Sequence, residues 1–275
     1  MAENAFLEHI DESARALDRL IEHRAPKVGI ILGSGLGSVA DALQDAIVVP
    51  FSLVPHMGIS TAESHVGCFV AGRLCGTEVI CMRGRLHGYE GYTSMEVAWP
   101  IWIMHALGVE VLIATNAAGA INPAFNVGDF CVISDHINFT GRNPLQGREQ
   151  DALATRFPSM YEAYDLALRD AALKAASNLH IPAHEGIYIG VLGPSLETPA
   201  EIAAFGRWGA DVVAMSLVEE VIAARHVGMR VLGISLCSNM ACGVGEDFSG
   251  ENVIEVASSR ADDLLKLICA VLACL

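Results

Sequence analysis

Arg85 and His87 stand two apart in "MRGRLHGYEG", with Gly84 and Gly88 beside them. In an extended segment, side chains two apart point the same way. A guanidinium fork and an imidazole side by side suit a phosphate-sized anion. Taken in isolation, the pair also fits a solvated hairpin with surface cations. A second anion feature lies upstream in "VGIILGSGLGSVADAL", where an apolar run meets Gly33, Gly35 and Gly37 and a helical pattern follows. A dinucleotide fingerprint fails there, because Ser38 takes the third glycine position and no acid closes the next apolar run. A P-loop fails too, since no lysine lies between Lys27 and Lys174. What remains is a turn rich in backbone N–H groups with the Ser34 hydroxyl, a geometry that favours a small anion. A tight turn with no ligand fits this stretch equally well.

A different chemistry sits at Glu197 and Asn239. "GPSLETPAE" reads locally as a helix start, with Thr198 or Ser195 capping and Pro199 in the first turn. That leaves Glu197 without a structural task. A carboxylate only accepts hydrogen bonds, whereas the amide of Asn239 donates and accepts. Together they would read a flat heterocycle carrying an N–H and a carbonyl.

These residues must be positioned by alternating elements. Short apolar strands ("KVGIIL", "VEVLIATNAAG", "EGIYIGVLG", "ADVVAMS", "MRVLGISLCS") alternate with helical patterns at about 5–23, "SMEVAWPIWIMHALG" (Pro100 as a kink), "MYEAYDLALRDAALKAASNL", "PAEIAAFGRWG" and "LVEEVIAARHVG". This is an α/β pattern. "VGCFVAGRLCGTEVICMRG" reads as two strands around a turn, and "VGDFCVISDHINF" as a strand entering a polar loop. The additional pairs predict a central mixed β-sheet flanked by helices in one domain, 1–275. Polar residues collect where the strands end, at Arg85, His87, Tyr89, Asn116, Glu197, Ser216 and Asn239. In such sheets the ligand crevice lies at the carboxyl ends of strands.

Composition narrows the partners. The 275 residues are 52% hydrophobic with a formal net charge of −15, which argues against nucleic acid and anionic membranes. The eight cysteines form no C-x-x-C pair and read as reduced, buried hydrophobes of a cytoplasmic protein; structural zinc lacks its ligand spacing. The N-terminus has no signal-peptide pattern, and the apolar "DDLLKLICAVLACL" is too short to span a bilayer and reads as a capping helix.

"ILGSGLG", "GRLHGYEG", "TNAAGAINPAFNVGD", "DHIN", "GPSLETPAE", "MSLVEEVIAARH" and "SNMACG", in this order over roughly 25–250, resemble the trimeric, 6-oxopurine-type purine nucleoside phosphorylases. The resemblance implies reversible phosphorolysis of inosine, guanosine and their deoxy forms to free purine and (deoxy)ribose 1-phosphate. It implies no metal or organic cofactor, inorganic phosphate being a co-substrate. It assigns phosphate to Ser34, His65, Arg85, His87, Ala117 (through its N–H) and Ser216. Tyr89 and Met215 fall to the ribose, and Glu197 and Asn239 to the purine, with Tyr188 and Leu196 lining that pocket. Phe157 is expected to reach a neighbouring subunit's ribose in a homotrimer. His87, Glu197 and Asn239 are the expected catalytic residues. Glu197 facing the N1–H of a 6-oxopurine implies inosine and guanosine over adenosine.

The sequence departs from the family at three places. Gly250 stands where a histidine near the 5′-hydroxyl is common, Leu196 where an aromatic is common, and Met240 where some members have lysine. Gly250 keeps a 5′-methylthioadenosine-type phosphorylase as the rival within the family. A phosphate-independent nucleosidase and a silent nucleoside-binding module are the rivals outside it. His105, His136, His180, His184 and His226 read as structural or surface residues.

Overall fold

Apolar strands set the frame. β1 (Val28–Leu32) is buried along its whole length and lies between β4 (Thr77–Arg83) and β5 (Val111–Ala120), parallel to both. Strands buried on two faces read as continuous apolar runs, which "VGIIL" does. β3 (Cys68–Leu74) and β4 form an antiparallel hairpin, and β2 (Gln44–Pro50) adds the outer antiparallel strand. Beyond β5 lie β8 (Val212–Ala214), β7 (Ala183–Gly190), β6 (Phe130–Asn138) and β9 (Arg230–Met240). β9 also pairs with β5, so these five strands close on one another and the mixed sheet curls into a ring at that end. The computed structural model describes residues 2–61, 66–245 and 249–275.

Helices cover both faces. α1 (Ala2–Leu20) buries Phe6, Ile10, Ala14 and Leu17, a single stripe at helical spacing. It packs with α2 (Ser94–Ala106) and α5 (Val218–His226) over Ile31, Ile80 and Leu112. The opposite face, through Ile30, Val70 and Leu232, is covered by α3 (Leu166–Leu179), Ala257 of α6 (Gly250–Ser259) and α7 (Ala261–Leu272). Ile30 and Ile31 thus serve opposite cores, as strand alternation requires. α4 (Pro199–Arg207) closes a third cluster through Ile202 and Phe205. Truncating Trp102, buried among Phe6 and Trp99, would cost about 3–5 kcal/mol.

Several local expectations change. The helical pattern after the glycine turn forms only a six-residue 3-10 turn, Gly37–Ala42, before β2 begins. α3 starts at Leu166 rather than near Met160, because the Asp165 carboxylate accepts from the Leu168 N–H and caps it there. α1 stops at Leu20, followed by positive φ at Glu22 and His23. α2 contains Pro100, in keeping with the helix read there. The cysteine reading also changes. Cys75, at the β3–β4 turn, is disulfide-bonded to Cys269 of α7, because the turn packs against that helix with Cα atoms 5.6 Å apart. Cys68, Cys81, Cys131 and Cys237 are free and buried, as expected.

Candidate active site

The glycine turn after β1 is pressed against β5. A Cβ on Gly33 would lie 2.7 Å from the Asn116 Cα, so only glycine lets the two backbones approach. Gly35 has φ +74, and a Cβ there would meet Ala257 at 2.5 Å. Ser34 is thereby held at the wall of a cavity of about 200 Å³. Arg85 reaches the same cavity from beyond β4 and is 1% exposed. Its Nη2 donates to the Thr115 carbonyl, and its Nε lies 3.3 Å from Oε1 of buried Glu220.

His87 is fixed from below. Its backbone N–H donates to Oε1 of Glu90 at 2.9 Å, and its Nδ1 lies 2.8 Å from the same oxygen. Oε2 of Glu90 accepts from the N–H and hydroxyl of Thr61. Burial pushes Glu90 up, but the hydrogen bonds from His87 and Thr61 outweigh it and hold its carboxyl at about 2. Burial lowers the His87 imidazole, against the opposing pull of Glu90. A neutral ring donating from Nδ1 to a carboxylate presents Nε2 as an acceptor. Tyr89 stacks on His87 at 4.5 Å between ring centroids.

The other wall comes from β8, β9 and the segment after β7. Met215 and Ser216 follow β8, and Leu217 takes φ +75, ψ −41 while the Val218 N–H bonds back to the Ser216 carbonyl. This is a strained γ-turn geometry, the kind that persists where surrounding structure over-determines it. Tyr188 supplies part of that determination: its hydroxyl donates to the Ser216 carbonyl at 2.7 Å and accepts from the Ser216 N–H.

On β9, the pairing with β5 slips between Ala118 and Gly119, so that Cys237 faces Ala118 while Asn239 faces Gly119. Ser238 is the extra residue, and this bulge lets consecutive Ser238 and Asn239 both line the cavity. Ser238 Oγ donates to Asn239 Oδ1 at 2.8 Å, and Asn239 Nδ2 donates to the Met240 carbonyl. Glu197 lines the cavity one residue before the Thr198 cap of α4, and burial raises its carboxyl.

Ser34, Arg85, His87, Tyr89, Ala117, Leu196, Glu197, Met215, Ser216 and Asn239 therefore line one cavity. Tyr188 does not line it. Its ring is fully buried beneath Ser216, because its hydroxyl is consumed by that backbone. Phe157 lies in a second cavity with Asn143, Pro158 and Ile222, and is 84% exposed. His65 falls outside the described residues. Among the described residues, no group of three or more His, Cys, Asp or Glu could hold a metal ion.

Comparison with known proteins gives the family. A profile described as the phosphorylase superfamily matches residues 27–273. The chain is 48% identical to purine nucleoside phosphorylase 1 of Bacillus subtilis over 250 residues, 90% of this chain and 92% of that one. The chain belongs to the phosphorylase superfamily, among its purine nucleoside phosphorylases. The mouse (Mus musculus) purine nucleoside phosphorylase is 42% identical over 92% of this chain and 90% of its own. The Schistosoma mansoni enzyme in complex with inosine superimposes with a TM-score of 0.91 at 36% identity, covering 98% of this chain and 96% of that one. Its complex with adenosine gives 0.89 at 37% identity, with 96% of each chain covered.

Within this phosphorylase fold, several residues escaped the sequence reading. Glu90 is one such residue, and its three-residue spacing from His87 is that of a capping box. Ser238, Cys242 and Val253 also line the cavity. Only the bulge on β9 explains Ser238, and a bulge leaves no mark in strand alternation.

Proposed function

We propose that the protein catalyses the reversible phosphorolysis of inosine, guanosine and their 2′-deoxy forms, giving free purine and (deoxy)ribose 1-phosphate. The observation that carries the reading is that one cavity is lined by Ser34, Arg85 and His87, a set suited to an anion, and by Glu197 and Asn239, a pair suited to a purine. Relatives named purine nucleoside phosphorylase, and one crystallised with inosine, support it.

In this reading Ser34, Arg85, His87, Ser216 and the Ala117 N–H hold phosphate, with His65 as a further contact. A phosphate oxygen forms the new bond to C1′ as the C1′–N9 bond breaks, and the bonding electrons pass into the purine. The sugar develops oxocarbenium character, which the phosphate charge beside it stabilises. Asn239 donates to N7 and stabilises the leaving base. Glu197 accepts N1–H of a 6-oxopurine; adenine presents a lone pair there, which disfavours adenosine. Tyr89 and Met215 contact the ribose, and Leu196 flanks the base. The chemistry needs no metal or organic cofactor.

The reading includes a cytoplasmic homotrimer in which Phe157 reaches a neighbour's ribose. The exposure of Phe157 beside a second cavity supports it. Gly250 favours a second reading, in which 5′-modified nucleosides are accepted. Outside its chain neighbours and its own helix backbone, no described atom lies within 4 Å of the place its Cβ would take. Retained rate on 5′-deoxyinosine would support that reading, and a large loss would remove it.

The deciding experiment is inosine cleavage with and without phosphate. Hypoxanthine release only with phosphate, together with ribose 1-phosphate, supports phosphorolysis. Equal release without it would make the protein a nucleosidase and remove the anion set from the reading.

A further inference from the structure

Arg142 does not line the cavity, yet it braces the turn that carries His87 and Tyr89. Its loop follows β6 and is pinned by two side chains: the Asn138 amide donates to the Arg142 carbonyl at 2.9 Å, and Thr140 Oγ1 accepts its N–H at 3.0 Å. From this fixed base the guanidinium makes three polar contacts. Nη2 donates to the Tyr92 carbonyl, Nε donates to the Ser94 hydroxyl at 3.1 Å, and Nε lies 3.6 Å from Oε1 of buried Glu219. Nη1 occupies the space that a Cβ on Gly88 would need. Gly88 is the residue between His87 and Tyr89, so the fork lies directly against the turn.

The partner carboxylates are neighbours in the chain. Glu219 faces Arg142, and Glu220 faces Arg85, both from the first turn of α5. That turn follows Met215, Ser216 and the strained Leu217. An exposed ion pair contributes little. This one is largely removed from water, where only a well-defined geometry offsets desolvation. A lysine could keep the charge but not the three directed contacts.

We infer that Arg142, held by Glu219, is a positioning residue that locks the His87–Gly88–Tyr89 turn against α5 and so sets the phosphate and ribose contacts in register with Ser216 and Met215. The inference rests on the proposed phosphorolysis. Arg142 touches neither substrate and acts through Gly88.

The test uses the full-length enzyme and the variants Arg142→Lys, Arg142→Ala, Gly88→Ala and the Gly88→Ala/Arg142→Ala double. Steady-state constants for inosine and phosphate are measured beside melting temperatures. Wild-type protein is assayed first; failure of phosphate-dependent cleavage there sinks the proposed reaction, not the role of Arg142. Given turnover, Arg142→Ala raises KM for both substrates and lowers kcat/KM about 100-fold, the scale of a misplaced contact. Arg142→Lys recovers little of the loss. Gly88→Ala is impaired because its methyl meets the guanidinium first and the movable end of Leu192 second, and the double variant loses no more than the worse single. Wild-type constants in Arg142→Ala at a lowered melting temperature would reduce the residue to scaffolding and overturn the inference. So would losses that simply multiply in the double variant. Where Arg142→Ala does not fold, wild-type constants in both Arg142→Lys and Gly88→Ala overturn it equally.

Discussion

Nδ1 of His87 and the backbone N–H of the same residue both meet one oxygen of Glu90, at 2.8 and 2.9 Å. The histidine is thus gripped at two points by one carboxylate, and the grip fixes the ring's tautomer. Glu90→Ala removes the oxygen that takes both bonds. Loss of orientation is expected to lower kcat/KM for phosphate about 100-fold. An unchanged value would mean that the pair is only a turn cap.

Acid sensitivity follows from the same residue. Burial holds folded His87 below its ordinary 6.5. As pH falls through that value, the unfolded chain takes up a proton that the folded state resists, so stability is lost on acidification. Glu90, held at about 2, contributes stability that is fully present above 4.5 and is lost only as pH falls through its folded value. His87→Gln therefore flattens the fall in melting temperature between about pH 7 and 5.5, and leaves any lower acid transition in place. Parallel melting curves for the two proteins would show that His87 contributes nothing to the slope.

Tyr188 illustrates a role that types and spacing hide. Its hydroxyl brackets both backbone groups of Ser216, next to the positive φ of Leu217. Tyr188→Phe leaves a buried carbonyl and N–H short of a partner, at a cost of about 1–3 kcal/mol. Phosphate KM is expected to rise, while nucleoside KM moves less. A lowered melting temperature with phosphate KM unchanged would confine Tyr188 to the core.

Much of this was legible in the sequence because chemistry and position coincide at strand ends. Arg85, His87, Glu197 and Asn239 follow apolar runs, and the fold collects such ends at one crevice. The α/β class was legible for the same reason, since "VGIIL" and "LVEEVIAARHVG" have different periods. Three features were not. The closure of β9 onto β5 is a long-range pairing without a local pattern. Ser38 to Ala42 look helical, yet the chain must turn at once into β2. The Cys75–Cys269 bond joins residues 194 apart, a separation that spacing rules do not reach.

That bond has a direct consequence. Tying a turn to α7 across so long a loop is worth about 2–5 kcal/mol. Cys75→Ser is expected to lower the melting temperature without altering the inosine constants, since neither cysteine lines the cavity. Intact-mass and thiol counts on protein handled without oxidant check the bond itself; a fully reduced chain would restore the original reading of the cysteines.

Phe157 tests the assembly. The ring is 84% exposed in the single chain, and the proposed homotrimer would give it a partner. If it reaches a neighbour's ribose, Phe157→Ala raises nucleoside KM, leaves phosphate KM nearly unchanged and keeps the trimer intact by light scattering. A monomeric wild-type protein with full activity would end the assembly reading.

In the proposed reaction, base choice turns on the orientation of one amide. Ser238 Oγ donates to Asn239 Oδ1, so the oxygen side is fixed and Nδ2 supplies the donors. One N–H goes to the Met240 carbonyl; in the proposed reaction the other goes to N7. Asn239→Asp keeps the Ser238 contact but replaces the donor with an acceptor. Inosine turnover is expected to fall about 100- to 1000-fold, the cost of losing one transition-state donor. A 6-amino group can donate to the new carboxylate, so the adenosine-to-inosine ratio should rise. Both nucleosides are assayed at saturating phosphate in wild type and variant. Full inosine activity in the variant, with no gain on adenosine, would mean that Asn239 does not read the base, and the purine end of the site would have to be sought around Glu197 alone.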